Sequence, residues 1–89
     1  MASQPPRIAW TEESVTAFQQ LPFNIRQQIV DKLDIVQRYP RMYQVQASGR
    51  WRGLRRFFVR NWRIYYVYWD TTHTIYVEAL AHARAEDRF

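Results

Sequence analysis

The chain of 89 residues contains no cysteine and only two glycines, Gly49 and Gly53. Without cysteine it can form neither disulfides nor thiolate metal sites. Two isolated glycines exclude the glycine-rich loops that cradle phosphates in P-loop and dinucleotide-binding folds. His73 and His82 lie too far apart in the sequence, with no carboxylate at ligand spacing, to suggest a metal site. We therefore expect the protein to need neither a cofactor nor a metal ion.

Long apolar runs are also missing. The first ten residues lack the apolar stretch of a signal peptide, and the aromatic run from Ile64 to Trp69 is far too short to span a bilayer. A chain of this length has room for one domain, and 47% hydrophobic residues are enough to build its core. The sequence thus predicts a single cytoplasmic domain over residues 1–89, with residues 1–6 as a loose leader and no membrane contact.

Acidic residues are absent between Asp34 and Asp70, although this stretch carries eight of the arginines in a chain of net charge +5. Clustered guanidinium groups repel one another unless an anionic partner offsets their field. Guanidinium also binds phosphate in a forked geometry, and aromatic rings stack on bases. The stretch therefore predicts nucleic-acid binding, with an acidic protein partner as the alternative for part of the charge. The candidate contact residues are Arg50, Trp51, Arg52, Arg55, Arg60 and Phe89.

The first half of the chain has helical periodicity. Thr11 is predicted to cap a helix that runs to about Gln20, and Pro22 suits the start of a second helix from Phe23 to Arg38. The segment from Arg7 to Trp10 can form a short edge strand. Apolar residues recur at intervals of three to four along the second helix, which predicts a buried stripe. This stripe consists of Ile25, Ile29, Leu33 and Val36.

The second half changes to the period of two that is typical of strands. Aromatic and β-branched residues mark three strands, at Arg52 to Val59, Trp62 to Trp69 and Thr74 to His82. Turn residues separate them at Arg60-Asn61 and between Asp70 and His73. The sequence therefore predicts an α+β fold, in which an N-terminal helical hairpin packs on an antiparallel sheet of three to four strands.

The turn positions predict the strand register. Pairing Val59 with Trp62 places Arg56 opposite Tyr65, and the second hairpin then places Tyr65 opposite Glu78. The same register pairs Arg63 with Leu80. One face is predicted to pack under the helices; it holds Phe57, Val59, Trp62, Ile64, Tyr66, Ile75, Val77, Ala79 and Ala81, with Arg55 as its odd member at the edge. The open face is predicted to gather Arg56, Arg63, Tyr65, Glu78, His82 and, if the last strand continues, Arg84.

Four segments together resemble the RelE/ParE superfamily of type II toxin–antitoxin toxins. They are LPFNIR at 21–26, GLRRF at 53–57, WRIYY at 62–66 and HAR at 82–84, and the resemblance extends from Ile8 to Phe89. It implies two helices followed by an antiparallel sheet, and neutralisation by a cognate antitoxin. The RelE-like branch implies cleavage of ribosome-bound mRNA, in contact with rRNA. The ParE-like branch instead implies poisoning of DNA gyrase.

The resemblance also implies roles for individual residues. By motif position, Arg56 and Arg63 match the basic residues that RelE-like members use around the scissile phosphate. Arg84 matches the arginine after the last strand, and His82 falls where several members carry a catalytic histidine. Phe89 stands where RelE-like enzymes often have a tyrosine.

These residue types suit metal-free RNA cleavage. The reaction needs the 2′-hydroxyl deprotonated, the phosphate charge stabilised and the 5′-oxygen protonated. Arginine cannot lose its proton near neutral pH, so it can only stabilise charge. His82 is the natural proton-transfer group because imidazole titrates near neutrality, and Glu78 is second. We predict an endoribonuclease toxin, with a gyrase inhibitor or a homologue that only binds an antitoxin or nucleic acid as alternatives.

Overall fold

The computed structural model describes residues 4–86, which form helices packed on one four-stranded sheet. The sheet has the strand order β1-β4-β3-β2; β1 runs parallel to β4 and the other pairs are antiparallel. The predicted α+β fold is thus confirmed, in a sheet that is mixed rather than purely antiparallel. The elements are β1 (Arg7–Trp10), α1 (Glu12–Gln19), α2 (Phe23–Arg38), β2 (Arg55–Val59), β3 (Trp62–Trp69), β4 (Thr74–His82) and α3 (Ala83–Glu86).

Both predicted long helices are present, and local chemistry explains their ends. The Thr11 hydroxyl accepts a hydrogen bond from the backbone N–H of Ser14 at 3.0 Å and so caps α1, while Glu12 and Glu13 lie in its first turn. Pro22 precedes α2, where its missing N–H costs no hydrogen bond. The helix ends at Arg38, just before Tyr39-Pro40.

The core lies between α2 and one face of the sheet. Ile29 and Val36 of α2 are fully buried, together with Phe57, Ile64 and Tyr66 of the sheet. Fully burying an aliphatic or aromatic side chain of this size stabilises a fold by about 1.5–3 kcal/mol. The predicted helix stripe therefore packs on the predicted inner positions of β2 and β3.

The loop before β2 replaces part of a predicted strand. The backbone N–H of Gly53 donates to the carbonyl of Gln46 at 2.9 Å, and the N–H of Gln46 donates to the carbonyl of Leu54 at 2.8 Å. These bonds fold residues 46–54 back on themselves, so that β2 begins at Arg55 and not at Arg52. Gly49 and Gly53 have φ values of +83° and +88°, which glycine adopts without steric cost.

A β-bulge on β4 changes the predicted register. Pairing runs as expected from Trp69 opposite Thr74 to Tyr66 opposite Val77, but the next pair is Tyr65 with Ala79. Glu78 is an extra residue at this point. The predicted pairs Tyr65–Glu78 and Arg63–Leu80 are therefore wrong, and Arg63 pairs with Ala81.

Hydrogen bonds from the start of α1 explain the position of this bulge. The backbone N–H of Thr11 donates to the carbonyl of Val77 at 3.2 Å, and the buried hydroxyl of Ser14 donates to the same oxygen at 2.7 Å. The Thr11 hydroxyl also donates to the carbonyl of Glu78 at 3.1 Å. Because these donors satisfy carbonyls at the bulge, β4 can accommodate an extra residue without leaving those oxygens unpaired.

The bulge reverses the predicted faces at the end of β4. Leu80 lies opposite Ile64 and packs against the core, whereas Ala79 and Ala81 share the open face with Tyr65 and Arg63. The prediction that the two alanines face the helices is therefore wrong.

His82 is displaced by the same shift. It lies opposite Trp62, whose ring packs against the core, and the two rings meet edge to face at 5.1 Å. The predicted common face for His82, Arg56 and Arg63 is therefore wrong. Arg84 follows in α3, so the strand does not continue to it and the condition for its predicted position on the open face is not met.

Among residues 4–86, no helix combines the length and the apolar character needed to cross a membrane.

Candidate functional site

A cleft of about 830 Å³ opens on the sheet face away from α2. Its walls come from the 46–51 loop, from β2 and β3, and from the end of β4 with α3. The charged and aromatic side chains that line it include Arg50, Trp51, Arg56, Arg63, Tyr65 and Glu86.

The bulge helps to make room for this cleft. It places Ala79 opposite Tyr65 and Ala81 opposite Arg63, so that two methyl groups lie beside two large polar side chains. The small alanines leave space above the sheet that larger residues would fill.

One carboxylate binds three hydrogen-bond donors in the cleft. Oε1 of Glu86 accepts from Nη1 of Arg63 at 2.9 Å and from the Tyr65 hydroxyl at 3.0 Å. Oε2 accepts from the indole N–H of Trp51 at 2.5 Å. The side chains of Arg63 and Glu86 are only 20% and 18% exposed, so this ion pair is well shielded from water. α3, β3 and the loop are thereby joined at a single point.

These contacts determine the protonation of the two weakly acidic groups. Burial acts to raise the pKa of Glu86, but hydrogen bonds from Trp51, Arg63 and Tyr65 and the Arg63 charge lower it below its ordinary value. Burial raises the pKa of Tyr65, and Glu86 acts in the same direction, while a hydrogen bond with Arg56 opposes both. At neutral pH the cleft thus holds a carboxylate and a protonated phenol.

Arg56 and Arg63 lie on neighbouring strands of the open face, as predicted. Arg56 pairs with Tyr65 across β2 and β3, and Arg63 is two residues before Tyr65 on the same strand. The Arg56 guanidinium also lies 4.9 Å from the centre of the Phe58 ring. Two guanidinium groups therefore face the same space from adjacent strands.

Aromatic rings form a column at the mouth of the cleft. The Trp51 ring stacks on the Tyr65 ring with 4.2 Å between centroids and 18° between planes. The exposed Arg50 guanidinium lies 4.7 Å from the centre of a Trp51 ring. Of the predicted nucleic-acid contacts that fall within residues 4–86, Arg50 and Trp51 are thus the two that line the cleft.

His82 borders the cleft at its far end. Nδ1 of its ring accepts a hydrogen bond from the backbone N–H of Arg84 at 3.1 Å, so the neutral ring carries its proton on Nε2. Arg84 itself is exposed on α3. Glu78 lies in a separate groove of the open face, beside Trp69 and Tyr76.

The remaining predicted contact residues are spread around the molecule. Arg52 is exposed on the loop. Arg55 occupies the edge of the inner face, where its guanidinium donates to the backbone carbonyls of Arg41 at 3.2 Å and Tyr43 at 2.5 Å. Arg60 occupies the β2–β3 turn with φ of 55° and borders a groove against α2. Phe89 lies outside the described residues.

Sequence reasoning missed Glu86. The segment Ala83–Glu86 consists of alanine, arginine and glutamate, all strong helix formers, and this composition was the available signal. If β4 is assumed to continue through these residues, Glu86 is not placed near Arg63, because only a helical turn brings its side chain back over that arginine.

Among residues 4–86, no three His, Cys, Asp or Glu side chains come together as metal ligands.

A family model described as "ParE toxin of type II toxin-antitoxin system, parDE" matches residues 8–86, which is nearly the whole chain. No curated protein matches the chain.

Solved structures share the fold at 18% sequence identity. The E. coli RelE toxin in complex with a peptide of the antitoxin RelB has a TM-score of 0.79, covering 94% of this chain and 90% of that one. The intact E. coli RelBE complex has a TM-score of 0.76, with coverages of 88% and 96%. The RelBE2 complex of Mycobacterium tuberculosis has a TM-score of 0.75, with coverages of 89% and 99%. At this identity the similarity establishes the fold alone.

Proposed function

The chain belongs to the ParE toxin family of type II toxin–antitoxin systems, within the RelE/ParE superfamily, and we propose that it is an endoribonuclease. Its proposed substrate is ribosome-bound mRNA, which it would cleave without a metal ion. The observation that carries the proposal is the position of Arg56 and Arg63 on adjacent strands of a cleft that also holds groups able to exchange protons. Cleavage of mRNA by the protein would arrest translation.

The shape and charge of the cleft favour a single-stranded RNA. Two arginines can hold a phosphodiester in a forked geometry, and the Trp51–Tyr65 stack provides an aromatic surface beside them. A net charge of +5 adds attraction to the phosphate backbone and to rRNA. A single-stranded RNA can present its bases to such a surface, whereas a duplex does not.

The cleft groups suit transesterification at phosphorus. The 2′-oxygen attacks the phosphorus while the bond to the 5′-oxygen breaks, leaving a 2′,3′-cyclic phosphate. His82 accepts the 2′-hydroxyl proton at Nδ1 once the substrate hydroxyl has replaced the Arg84 N–H at that atom, and the protonated Tyr65 phenol donates a proton to the leaving 5′-oxygen. Arg56 and Arg63 stabilise the charge that develops on the phosphate oxygens.

Glu86 competes with the substrate in this scheme. Its carboxylate holds Arg63 at 2.9 Å, so a phosphodiester must displace or share this contact before Arg63 can bind it. Substrate binding on the ribosome would supply the free energy for that exchange.

Primer extension tests the proposal. Purified protein is added to ribosomes programmed with a defined mRNA, and 5′ ends are mapped with wild-type protein and with Arg56→Ala. We expect the wild-type protein to cut within the codon in the ribosomal A site, and we expect cleavage by Arg56→Ala to be at least a hundredfold lower. Arg38→Ala, on the exposed end of α2, makes the same charge change and is expected to cleave normally. Intact mRNA with wild-type protein would contradict the proposal.

A second candidate is inhibition of DNA gyrase, which the ParE description of the family model favours. In this case the arginines would contact gyrase or DNA, and no RNA bond would break. Accumulation of cleaved gyrase–DNA complexes, with mRNA left intact, would support this alternative against the nuclease.

We further propose that a cognate antitoxin neutralises the protein, since the E. coli and M. tuberculosis structures of the same fold are complexes with antitoxins. Two exposed apolar side chains, Ile35 of α2 and Phe58 of β2, line one groove and offer a surface for such a partner. Relief of growth arrest by co-expressed antitoxin, with a complex stable to gel filtration, is the expected result. Phe58→Asp should weaken that complex, and an unaffected complex would exclude this surface.

A further inference from the structure

Trp51 is held rigidly at the mouth of the cleft. Tyr65 covers one face of its ring at 4.2 Å, and the indole N–H is fixed by Glu86 at 2.5 Å. The loop that carries it is closed by hydrogen bonds between Gln46, Gly53 and Leu54. The ring is therefore oriented from two directions before any ligand arrives.

Arg50 covers Trp51 from the solvent. Its guanidinium lies 4.7 Å from the centre of a Trp51 ring, and its side chain is exposed. Because Tyr65 already stacks closely on the ring, we place the guanidinium on the face that Tyr65 leaves open. An exposed cation–π contact of this kind is weak.

A nucleobase binds such a face more strongly than an exposed guanidinium does. Base–aromatic stacking contributes more per contact than an exposed cation–π pair, and it needs no hydrogen-bond match. The energetic difference favours exchange of Arg50 for a base. The released guanidinium would still lie beside the nucleotide, where it can bind the phosphate.

We propose that the outer face of Trp51 is a nucleobase-binding subsite, at which a base of single-stranded RNA replaces the guanidinium of Arg50. This inference rests on the proposed cleavage of RNA and identifies the group that would orient the substrate beside Arg56 and Arg63. Purines are favoured over pyrimidines because their two fused rings overlap the indole more fully.

Adenosine and ribose 5-phosphate separate stacking from phosphate binding. Each is titrated into the isotope-labelled protein while the indole N–H signals are followed by proton–nitrogen correlation NMR. Adenosine is expected to shift the Trp51 signal, which is identified by its loss in Trp51→Phe, and ribose 5-phosphate is expected to leave it nearly unmoved. Trp69 is exposed and lies outside the cleft, so its indole signal serves as the internal control.

Variants test the exchange itself. Arg50→Ala should bind adenosine about two- to fivefold more tightly, since no guanidinium has to be displaced. Arg38→Ala removes the same charge from the exposed end of α2, outside the cleft, and should bind as the wild type does. Trp51→Ala should lose tenfold or more in affinity. Dispersed spectra of each variant show whether it is folded, and Trp51→Phe, which keeps a stacking ring, should lose less affinity than Trp51→Ala.

Three results would overturn the subsite: adenosine shifting Trp69 but not Trp51, no shift of any indole, or weaker adenosine binding in Arg50→Ala. The titration uses no ribosome and breaks no bond, so its outcome is separate from the cleavage assay. A protein that cleaves mRNA but ignores adenosine loses only the subsite. A protein that binds adenosine at Trp51 but leaves mRNA intact loses only the cleavage.

Discussion

Arg63 and Glu86 form an ion pair of 2.9 Å across the cleft, although 23 positions separate them in the sequence. The pair fixes α3 over the open face of the sheet and neutralises one of the two arginines best placed to bind phosphate. The charge of the cleft therefore depends on where α3 lies. This relationship links the stability of the fold to the availability of the site.

Glu86→Gln is expected to destabilise the protein in a pH-dependent way. The pKa of Glu86 is lowered on folding from its ordinary value of 4.5, so its ionised form stabilises the fold above that pH. This contribution is lost as the pH falls through the lower, folded-state pKa. At pH 7 we expect the variant to lose about 1–3 kcal/mol of unfolding free energy.

Urea denaturation at several pH values measures this effect. The difference between wild type and Glu86→Gln should shrink steadily in acid. Glu12→Gln, at an exposed position in the first turn of α1, should show a smaller loss at pH 7. A difference that stays constant down to low pH would show that the Glu86 charge does not stabilise the fold.

His82→Ala is expected to slow mRNA cleavage by about a hundredfold or more if His82 transfers a proton. His73→Ala provides the matched change, because His73 lies in the turn before β4, where its ring bonds to Tyr68 and to the carbonyl of Gln4. Rates come from single-turnover cleavage on programmed ribosomes. Equal rates for wild type and His82→Ala would remove the imidazole from the mechanism.

Much of the architecture was predictable because short-range patterns determine it. The helix caps, the Arg60-Asn61 turn and the apolar alternation of β2 and β3 are local signals, and each predicted the observed element. The juxtaposition of Arg56 and Arg63 followed from the same alternation. Local sequence patterns therefore predicted the part of the site that lies before the bulge.

The rest depended on contacts between distant segments. The bulge at Glu78 forms where Thr11 and Ser14 bond the carbonyls of Val77 and Glu78, more than 60 residues away. The alternation of residues along β4 does not by itself predict those hydrogen bonds, so the positions from Ala79 onward were assigned to the wrong faces. Glu86 was missed for a related reason, since only the turn into α3 brings it to Arg63.

Thr11→Ala is expected to lower the free energy of unfolding by about 1–2 kcal/mol, because the Thr11 hydroxyl both caps α1 and bonds the bulge. Thr16→Ala makes the same change on an exposed position of α1 and should have little effect. Chemical denaturation of both variants gives the comparison. Equal stabilities would mean that the cap and the bulge contact contribute nothing.

Arg55→Ala is expected to reduce stability rather than RNA binding. Its guanidinium bonds two backbone carbonyls in the segment after α2, and losing charged hydrogen bonds of this kind costs about 1.5–3 kcal/mol. The exposed Arg52→Ala should leave stability unchanged. Denaturation and RNA-binding titrations on both variants measure the two effects. Arg55→Ala that weakens RNA binding without destabilising the fold would contradict this role.

The role of the cleft is tested most directly by mapping mRNA 5′ ends on programmed ribosomes with wild-type protein, Arg63→Ala and Arg38→Ala. We expect cuts inside codons with wild type and Arg38→Ala, and at least a hundredfold less cleavage with Arg63→Ala. Undiminished cleavage by Arg63→Ala, or intact mRNA with wild-type protein, would contradict it.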